Sequence, residues 1–247
     1  MKKVLLFLCL ISVLVLPGIA SAEEAKPMGV YVGGHLGMSV MNFSGRNISE
    51  SDGGLDWSSG SKTDSAFGGG LSIGYDFDPR FNVPLRLELD YTARSKGDVK
   101  SSKTLLEDNP SKEFGLSQKD KIGLQTLMLN AWVDIPTGTA FTPYLGGGVG
   151  LGFIDYKARF NADDRTDGTE SGAWSSSTNE TNFAWSLGGG VAYDITDSWT
   201  VDLGYRYIDA GKVSTSSRET EGTDSWTTKA KAKVQAHDIM LGVRYTF

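Results

Sequence analysis

Histidine, serine and acidic side chains are the residues of this chain that could support hydrolysis. A hydrolytic site needs a nucleophile, a general base and an acid that orients the base, all within hydrogen-bonding reach. His35 and Ser39 share one face of an alternating segment, but four residues of strand separate them by roughly 13 Å. His237 lies on an apolar face. We therefore predict that His35 is a hydrogen-bonded interior residue and that the chain has no catalytic residues.

Cofactor chemistry has no clear counterpart in the sequence. Glycine triplets at 68–70, 146–148 and 188–190 lie within alternating segments, whereas a dinucleotide-binding glycine motif joins a strand to a helix. The acidic stretch 163–167 has the composition to bind divalent cations, but a solvated charge run is the more common use of such a stretch. We expect no metal and no cofactor.

The C-terminal segment alternates without interruption from His237 to Phe247, with one apolar and one polar face. A strand of about this length with such faces is the unit of a transmembrane β-barrel. Seven further segments share the period of two and predict an all-β fold, an eight-stranded antiparallel up-and-down transmembrane β-barrel. The predicted strands cover residues 30–40, 67–77, 83–92, 127–135, 144–153, 183–194, 199–208 and 237–247.

The connections between these segments alternate between short and long. Turn-forming residues at 78–80, 136–139 and 196–198 follow the second, fourth and sixth strands. The other four connections run to roughly twenty residues or more. Loops of this length are uncommon in compact soluble domains but usual on the extracellular side of bacterial outer-membrane barrels. We predict short periplasmic turns, four long extracellular loops and periplasmic termini.

Alternation alone leaves two eight-stranded barrels open, a membrane barrel with its apolar face outward and a secreted ligand-binding barrel with its apolar face inward. The polar face is rich in glycine, serine and threonine. Glycine would cover a water-facing sheet poorly, but it makes room inside a narrow barrel. Aromatic residues collect near both ends of the strands, as in the two girdles of membrane barrels. These features favour the membrane barrel.

The charged residues of the polar face would be buried inside such a barrel, and buried charges have to pair. We predict a network of ion pairs across the lumen, which acts either as a structural plug or as a gate on a narrow ion path. The small interior of eight strands favours the plug. If the turns set the register, large and small residues oppose each other in the pairs Arg86–Gly74, Glu88–Ser72, Asp90–Gly70, Arg206–Gly188 and Asp202–Ala192. The predicted network consists of Arg86, Glu88, Asp90, Arg94, Asp134, Asp202, Arg206, Asp238 and Arg244.

The N-terminus has the parts of a secretory signal: two lysines, an apolar run over 4–16, and small residues up to Ala22. The apolar run is shorter than the roughly 20 residues that a membrane-spanning helix needs. We predict a signal peptide over 1–22, cleavage between Ala22 and Glu23, and one barrel domain over 23–247.

The chain carries a net charge of −6 at pH 7, and removal of the two N-terminal lysines makes the mature protein more acidic. A nucleic-acid-binding surface usually carries a basic stripe, so we expect no nucleic-acid partner. The single cysteine lies in the predicted signal peptide. The mature protein would therefore contain no disulfide, and its stability would come from strand pairing and packing.

Two stretches carry a resemblance to a known family: residues 141–150, which read FTPYLGGGVG, and residues 244–247, which read RYTF. Together with the signal peptide and the eight strands, they make the sequence similar to the outer-membrane β-barrel superfamily of opacity-type surface antigens and small porin-like proteins. The resemblance covers nearly all of 23–247. It implies a monomer in the outer membrane of a Gram-negative bacterium, with Tyr245 and Phe247 as the signal for the barrel-assembly machinery.

The resemblance implies a fold more strongly than an activity, because members include adhesins, immune-evasion antigens, structural barrels and porins. The favoured interpretation is a non-enzymatic surface protein, structural or adhesive. The alternatives are a small low-conductance porin and, third, a lipid A-modifying enzyme. The His–Ser dipeptide of known deacylases is absent, because Leu36 follows His35. Outer-membrane lipids, lipopolysaccharide and a host or cell-surface ligand are the expected partners.

Three tryptophans in the polar loops are candidate contacts for such a ligand: Trp57, Trp174 and Trp226. Each is followed by small hydroxyl residues, and exposed aromatic residues are common binding anchors. A second interpretation stays open, in which the strands extend above the membrane and the indoles pack on that rim.

Overall fold

Strands occupy most of the chain, as the period of two predicts. The structure is a computed structural model that describes residues 28–50, 56–59, 61–106, 113–164, 170–221 and 224–247. No helix in these ranges is long and apolar enough to cross a membrane. The elements are β1 (Val30–Glu50), β2 (Asp56–Ser59), β3 (Lys62–Asp76), α1 (Asp78–Phe81), β4 (Leu85–Arg94), β5 (Gly97–Leu106), β6 (Glu113–Asp134), β7 (Phe141–Asp164), β8 (Glu170–Asp194), β9 (Trp199–Glu221) and β10 (Asp224–Thr246).

Eight of the strands close into a barrel. They follow the order β1-β3-β4-β6-β7-β8-β9-β10 with antiparallel neighbours, and β10 pairs with β1 to complete the circle. The short β2 pairs with β1, and β5 pairs with the outer part of β6. Closure satisfies the backbone groups of the membrane-crossing part, which lipid cannot do. The predicted eight-stranded up-and-down barrel is confirmed.

Apolar side chains cover the outside of the barrel and charged ones its inside. Leu89 and Leu129 expose about half of their surface (46% and 54%), whereas Arg86 and Asp90 are buried (3% and 1%). This distribution is the reverse of a water-soluble sheet and suits a surface that is solvated by acyl chains. Aromatic pairs line the periplasmic end, with ring centroids 4.8 Å apart in Phe141–Tyr193 and 5.0 Å apart in Trp199–Tyr245.

The four long extracellular connections are largely β-hairpins. β6 has 22 residues and β7 has 24, about twice the roughly 9–11 that cross a membrane. The two strands stay in continuous register from Asp134↔Tyr144 to Phe114↔Asp164. The barrel wall therefore continues well beyond the membrane on the extracellular side.

The interior of this extracellular part is apolar. Its buried cluster includes Met41 and Phe43 of β1, Leu124 of β6, Ile154 of β7 and Val234 of β10. Outside the membrane the outer surface of the wall meets water, so the ordinary preference for apolar residues inside returns. We call this set of residues, which buries side chains from both halves of the barrel, the upper apolar cluster.

The register of β3 against β4 differs by two residues from the prediction. Side chains alternate with a period of two, so the shift leaves every residue on its predicted face and changes only its partner. On β8 and β9 the predicted register is confirmed. The observed pairs are Arg86–Asp76, Glu88–Gly74 and Asp90–Ser72 in place of Arg86–Gly74, Glu88–Ser72 and Asp90–Gly70, together with the confirmed Arg206–Gly188 and Asp202–Ala192.

The turn between β3 and β4 accounts for the shift. The sequence predicts a tight turn at 78–80, but Pro79 lies in the first turn of the short helix α1, where its missing N–H costs nothing. Pro84 cannot donate a hydrogen bond to a sheet. β4 accordingly begins at Leu85 instead of Val83, and the connection is longer than predicted.

Candidate functional site

Ion pairs cross the middle of the lumen. Arg206 of β9 donates Nη1 to Asp90 Oδ1 at 2.8 Å and Nη2 to Thr92 Oγ1 at 2.9 Å, and β4, which carries both acceptors, lies diametrically opposite β9. Arg94 donates to both carboxylate oxygens of Asp238, at 3.1 and 2.5 Å. Arg206 Nη2 lies 3.5 Å from Asp238 Oδ2. These four charges form one neutral network, which we call the central network.

A separate ion pair lies nearer the periplasmic end. Arg86 donates Nε and Nη2 to the two carboxylate oxygens of Asp134, at 2.7 and 2.8 Å. The Arg86 guanidinium also lies 4.9 Å from the ring centroid of Tyr144. A bidentate ion pair of this kind fixes the orientation of both side chains as well as their separation.

Three of the nine predicted network residues lie in the lumen without an ion pair among the described residues. Glu88 accepts hydrogen bonds from the Tyr31 hydroxyl at 3.1 Å and from Trp132 Nε1 at 3.3 Å. Asp202 accepts one from the Tyr144 hydroxyl at 3.1 Å, and the Arg244 guanidinium lies 5.8 Å from the Tyr31 ring centroid. These three residues therefore have aromatic side chains as partners, where the prediction gave them oppositely charged partners.

Those aromatic partners were the residues that sequence reasoning missed. Tyr31, Trp132 and Tyr144 fall on the polar face of their strands in the alternating pattern, which was the available signal. All three are buried in the structure. Their size explains the glycines of the same face. A Cβ on Gly190 would lie 2.6 Å from the Tyr144 hydroxyl, and one on Gly74 would lie 2.3 Å from Tyr31 Cζ.

His35 lies beside the central network, where the prediction of a hydrogen-bonded interior histidine is confirmed. Its Nε2 is 3.1 Å from Thr92 Oγ1, and its Nδ1 is 3.5 Å from Asp90 Oδ2. Ser39 lies on the same strand, opposite Asp238. Hydroxyl, imidazole and carboxylate are the groups of a hydrolytic triad. The Thr92 hydroxyl, however, is fully buried, donates to Asp90 and accepts from Arg206, so it has no surface to offer a substrate.

Open space in the lumen lies on the periplasmic side of the central network. A chamber of about 80 Å³ is lined by Glu88, Asp202 and Arg244, and Asp90 and Arg206 of the central network also line it. A vestibule of about 400 Å³ at the periplasmic mouth shares Arg244 with this chamber. On the extracellular side, the upper apolar cluster fills the interior.

The three candidate loop tryptophans lie on the extracellular hairpins. Trp57 is in β2, Trp174 in β8 and Trp226 in β10, where they pair through the backbone with Ile48, Phe160 and Glu219. The first half of the second interpretation, that strands extend beyond the membrane, is thus confirmed. The tryptophan side chains lie outside the description of the structure.

The predicted terminal signals lie at the periplasmic end or outside the described ranges. Tyr245 and Phe247 stack edge to face with ring centroids 5.0 Å apart, and the Phe247 N–H donates to Val30 O at 2.9 Å. Residues 1–22 and the cleavage site between Ala22 and Glu23 lie outside the described residues.

In the part of the chain that the structure describes, no group of three or more histidine, cysteine, aspartate or glutamate residues is placed to hold a metal ion. The acidic stretch 163–167 lies partly outside that part.

The barrel architecture agrees with the relatives of the chain. A family model described as "Outer membrane protein beta-barrel domain" matches residues 6–247. This chain belongs to that family. Its relatives include the outer membrane protein PagN of Salmonella typhimurium, which is 35% identical over 234 residues, 92% of this chain and 93% of PagN. A putative adhesin of Rickettsia conorii is 26% identical over 187 residues, 74% of this chain and 69% of the adhesin.

The solved structure of Neisserial surface protein A is 24% identical to this outer-membrane barrel, with a TM-score of 0.42 over 89% of this chain and 97% of that one. Family membership confirms the resemblance inferred from the sequence. It also confirms the predicted localisation in the outer membrane of a Gram-negative bacterium, and the class of β-barrel surface protein.

Proposed function

We propose that the protein is a closed scaffold that holds extracellular hairpins above the outer membrane, where they contact host or neighbouring cells. The observation that carries the proposal is the filling of the lumen. The central network spans the barrel between opposite strands, and the upper apolar cluster occupies the interior beyond it. A porin needs a continuous hydrated path, and eight strands enclose a space just wide enough for side chains.

The extracellular hairpins extend well beyond the membrane. From Phe153, at the end of the apolar belt, β7 stays paired with β6 as far as Asp164 and with β8 as far as Asp163. At about 3.3 Å per residue, this is roughly 35 Å of strand. The upper apolar cluster packs inside the described part of these hairpins and holds that part in place. The adhesin name of the Rickettsia relative supports the same function.

We also propose that the protein is not an enzyme. The triad-like group of His35, Thr92 and Asp90 is the strongest catalytic candidate in the described ranges, and its hydroxyl is inaccessible. The Thr92 hydroxyl instead links Arg206 to Asp90, which is a structural use of the same chemistry.

Two measurements on the refolded protein test the scaffold. In planar bilayers we expect no stable unitary current, since the central network spans the lumen; stable currents would establish the porin instead. In cell-association assays we expect a several-fold loss when Trp57, Trp174 and Trp226 are replaced by alanine, because truncating anchor residues commonly costs more than 1 kcal/mol each. Trp199→Phe, at the periplasmic girdle, is the matched control. Equal association of all variants would remove the adhesive role.

We further propose the biogenesis that the sequence predicts. The mature protein begins at Glu23 after cleavage behind Ala22, the barrel-assembly machinery recognises Tyr245 and Phe247, and the protein folds as a monomer among outer-membrane lipids. The intact mass of the protein from outer membranes tests the cleavage. A mass that retains residues 1–22 would contradict it.

A further inference from the structure

A basic patch lies on the outer face of β6 and β7, beyond the apolar belt. Lys121 is directly opposite Lys157, and Lys119 is directly opposite Arg159. All four side chains are exposed. Tyr156, which precedes Lys157, and Ile122, which follows Lys121, point inward and are buried. Side chains alternate along a strand, so the four cations lie on the outer face. We call Lys119, Lys121, Lys157 and Arg159 the basic patch.

Like charges in directly opposite positions destabilise a sheet, because their Cβ atoms lie only about 4.5–5.5 Å apart. The basic patch contains two such pairs in successive rows. The register of β5 places Lys100 opposite Lys119 and Asp98 opposite Lys121, and Asp155 precedes Lys157 on the outer face of β7. Five cationic positions therefore adjoin two acidic positions. In a chain of net charge −6, these exposed cations give this part of the outer face a local positive potential that attracts anions.

The height of the basic patch indicates where such anions lie. The apolar outer face of β7 ends at Phe153, and the next outward residue, Asp155, is engaged by Lys96. Lys157 and Arg159 follow at roughly 13 and 20 Å along the strand from Phe153. Strand tilt reduces both heights, and long basic side chains can bend toward a membrane surface. The basic patch therefore adjoins the headgroup layer of the outer leaflet.

We propose that the basic patch binds phosphate groups of lipopolysaccharide in the outer leaflet. Arg159 has the planar fork that holds two phosphate oxygens at once, and the lysines add compact charges. Ser175 and Ser177 of β8 lie opposite Arg159 and Lys157 and are exposed, so their hydroxyls can donate to the same phosphate.

On the opposite side of the barrel, Lys212 of β9 is directly opposite Lys233 of β10. There the protein itself supplies a carboxylate, because Lys233 Nζ is 2.8 Å from Asp209 Oδ2. Lys231 is exposed and pairs with Ser214 on one side and Asn47 on the other. Lys62 of β3 is also exposed and lies opposite Phe43. Lys231 and Lys62 are therefore surface cations without a directly opposed cation, and they provide a matched control.

The test is a titration of the folded protein in neutral detergent micelles with diphosphoryl lipid A. We expect Lys157→Gln/Arg159→Gln to weaken binding by about tenfold or more, because each charge-assisted hydrogen bond to phosphate contributes strongly. The control Lys62→Gln/Lys231→Gln removes the same charge and should stay within about twofold of the unsubstituted protein, since neither residue adjoins the patch. Heat-modifiable gel mobility verifies that each variant is folded.

A second readout separates ligand binding from a structural role. Without lipid A, the patch variant should unfold at the same or a higher urea concentration than the unsubstituted protein, because like-charge repulsion is relieved. With lipid A it should unfold at a lower concentration, because it loses the stabilisation by a bound ligand.

Four results would overturn the proposal. Two concern the variants: the patch variant binds lipid A with unchanged affinity, or the control loses as much affinity as the patch variant. Two concern the probe: equal binding of dephosphorylated lipid A would assign the affinity to acyl chains, and equal binding of inorganic phosphate would assign the site to a free ion.

Discussion

The central network makes a quantitative prediction for Arg206→Met, which removes the guanidinium and keeps an unbranched apolar side chain. Asp90 would lose its 2.8 Å partner and keep the Thr92 hydroxyl at 2.8 Å and His35 Nδ1 at 3.5 Å. Removing one partner of a buried ion pair costs about 3–5 kcal/mol. Asp238 keeps Arg94, which donates to both of its carboxylate oxygens. We therefore expect a loss near the lower bound, about 3 kcal/mol.

Two further variants isolate the cause. Adding Asp90→Asn to Arg206→Met removes the charge that is left without a partner, so the double variant should recover about 2 kcal/mol. Arg244→Met is the matched control, since Arg244 is also in the lumen but contacts the Tyr31 ring at 5.8 Å instead of forming an ion pair in the described part of the chain. It should cost about 0.5–1 kcal/mol.

The assay is urea unfolding in lipid vesicles, followed by tryptophan fluorescence at pH 7, with planar-bilayer recordings on the same preparations. We expect a lower unfolding midpoint for Arg206→Met than for the unsubstituted protein. If that variant unfolds at the midpoint of the unsubstituted protein and passes a larger unitary current, the central network is a gate and does not hold the barrel together.

Three other predictions follow from single contacts. Gly148→Val should lower the free energy of unfolding by about 1–3 kcal/mol, because a Cβ there would lie 2.1 Å from Asn130 Oδ1. Burial alone would raise the pKa of Asp209, but hydrogen bonds, first among them that from Lys233, lower it overall. The stabilisation is therefore present above the unfolded pKa of about 3.9 and is lost as the pH falls through the lower folded value. Lys233→Gln should unfold more easily than the unsubstituted protein at pH 7, and the difference should shrink below about pH 4; a constant difference would contradict the pairing. Deletion of Phe247 should leave refolding in detergent unchanged and reduce the amount in outer membranes; equal amounts would exclude an assembly signal.

The alternating pattern was sufficient to place the membrane-crossing strands and to assign a face to each residue. Residues 127–135 and 237–247 fall within β6 and β10 as predicted, apart from the last residue of each range. Charged residues such as Arg86 and Asp238 point inward, also as predicted. This information is local, because successive side chains of a strand point to opposite sides whatever the strand pairs with. The polarity of each face then indicates its solvent.

Partners across the lumen were decided only by closure of the barrel. Arg206 meets Asp90 across 116 positions of sequence, and the two-residue shift between β3 and β4 came from a helical turn that alternation does not encode. Among the described residues, Glu88 accepts hydrogen bonds from neutral donors, Tyr31 and Trp132, and not from an arginine. A period of two determines which way a side chain points. Which group it meets depends on the register of every intervening strand, and only the closed tertiary structure sets all of those registers together.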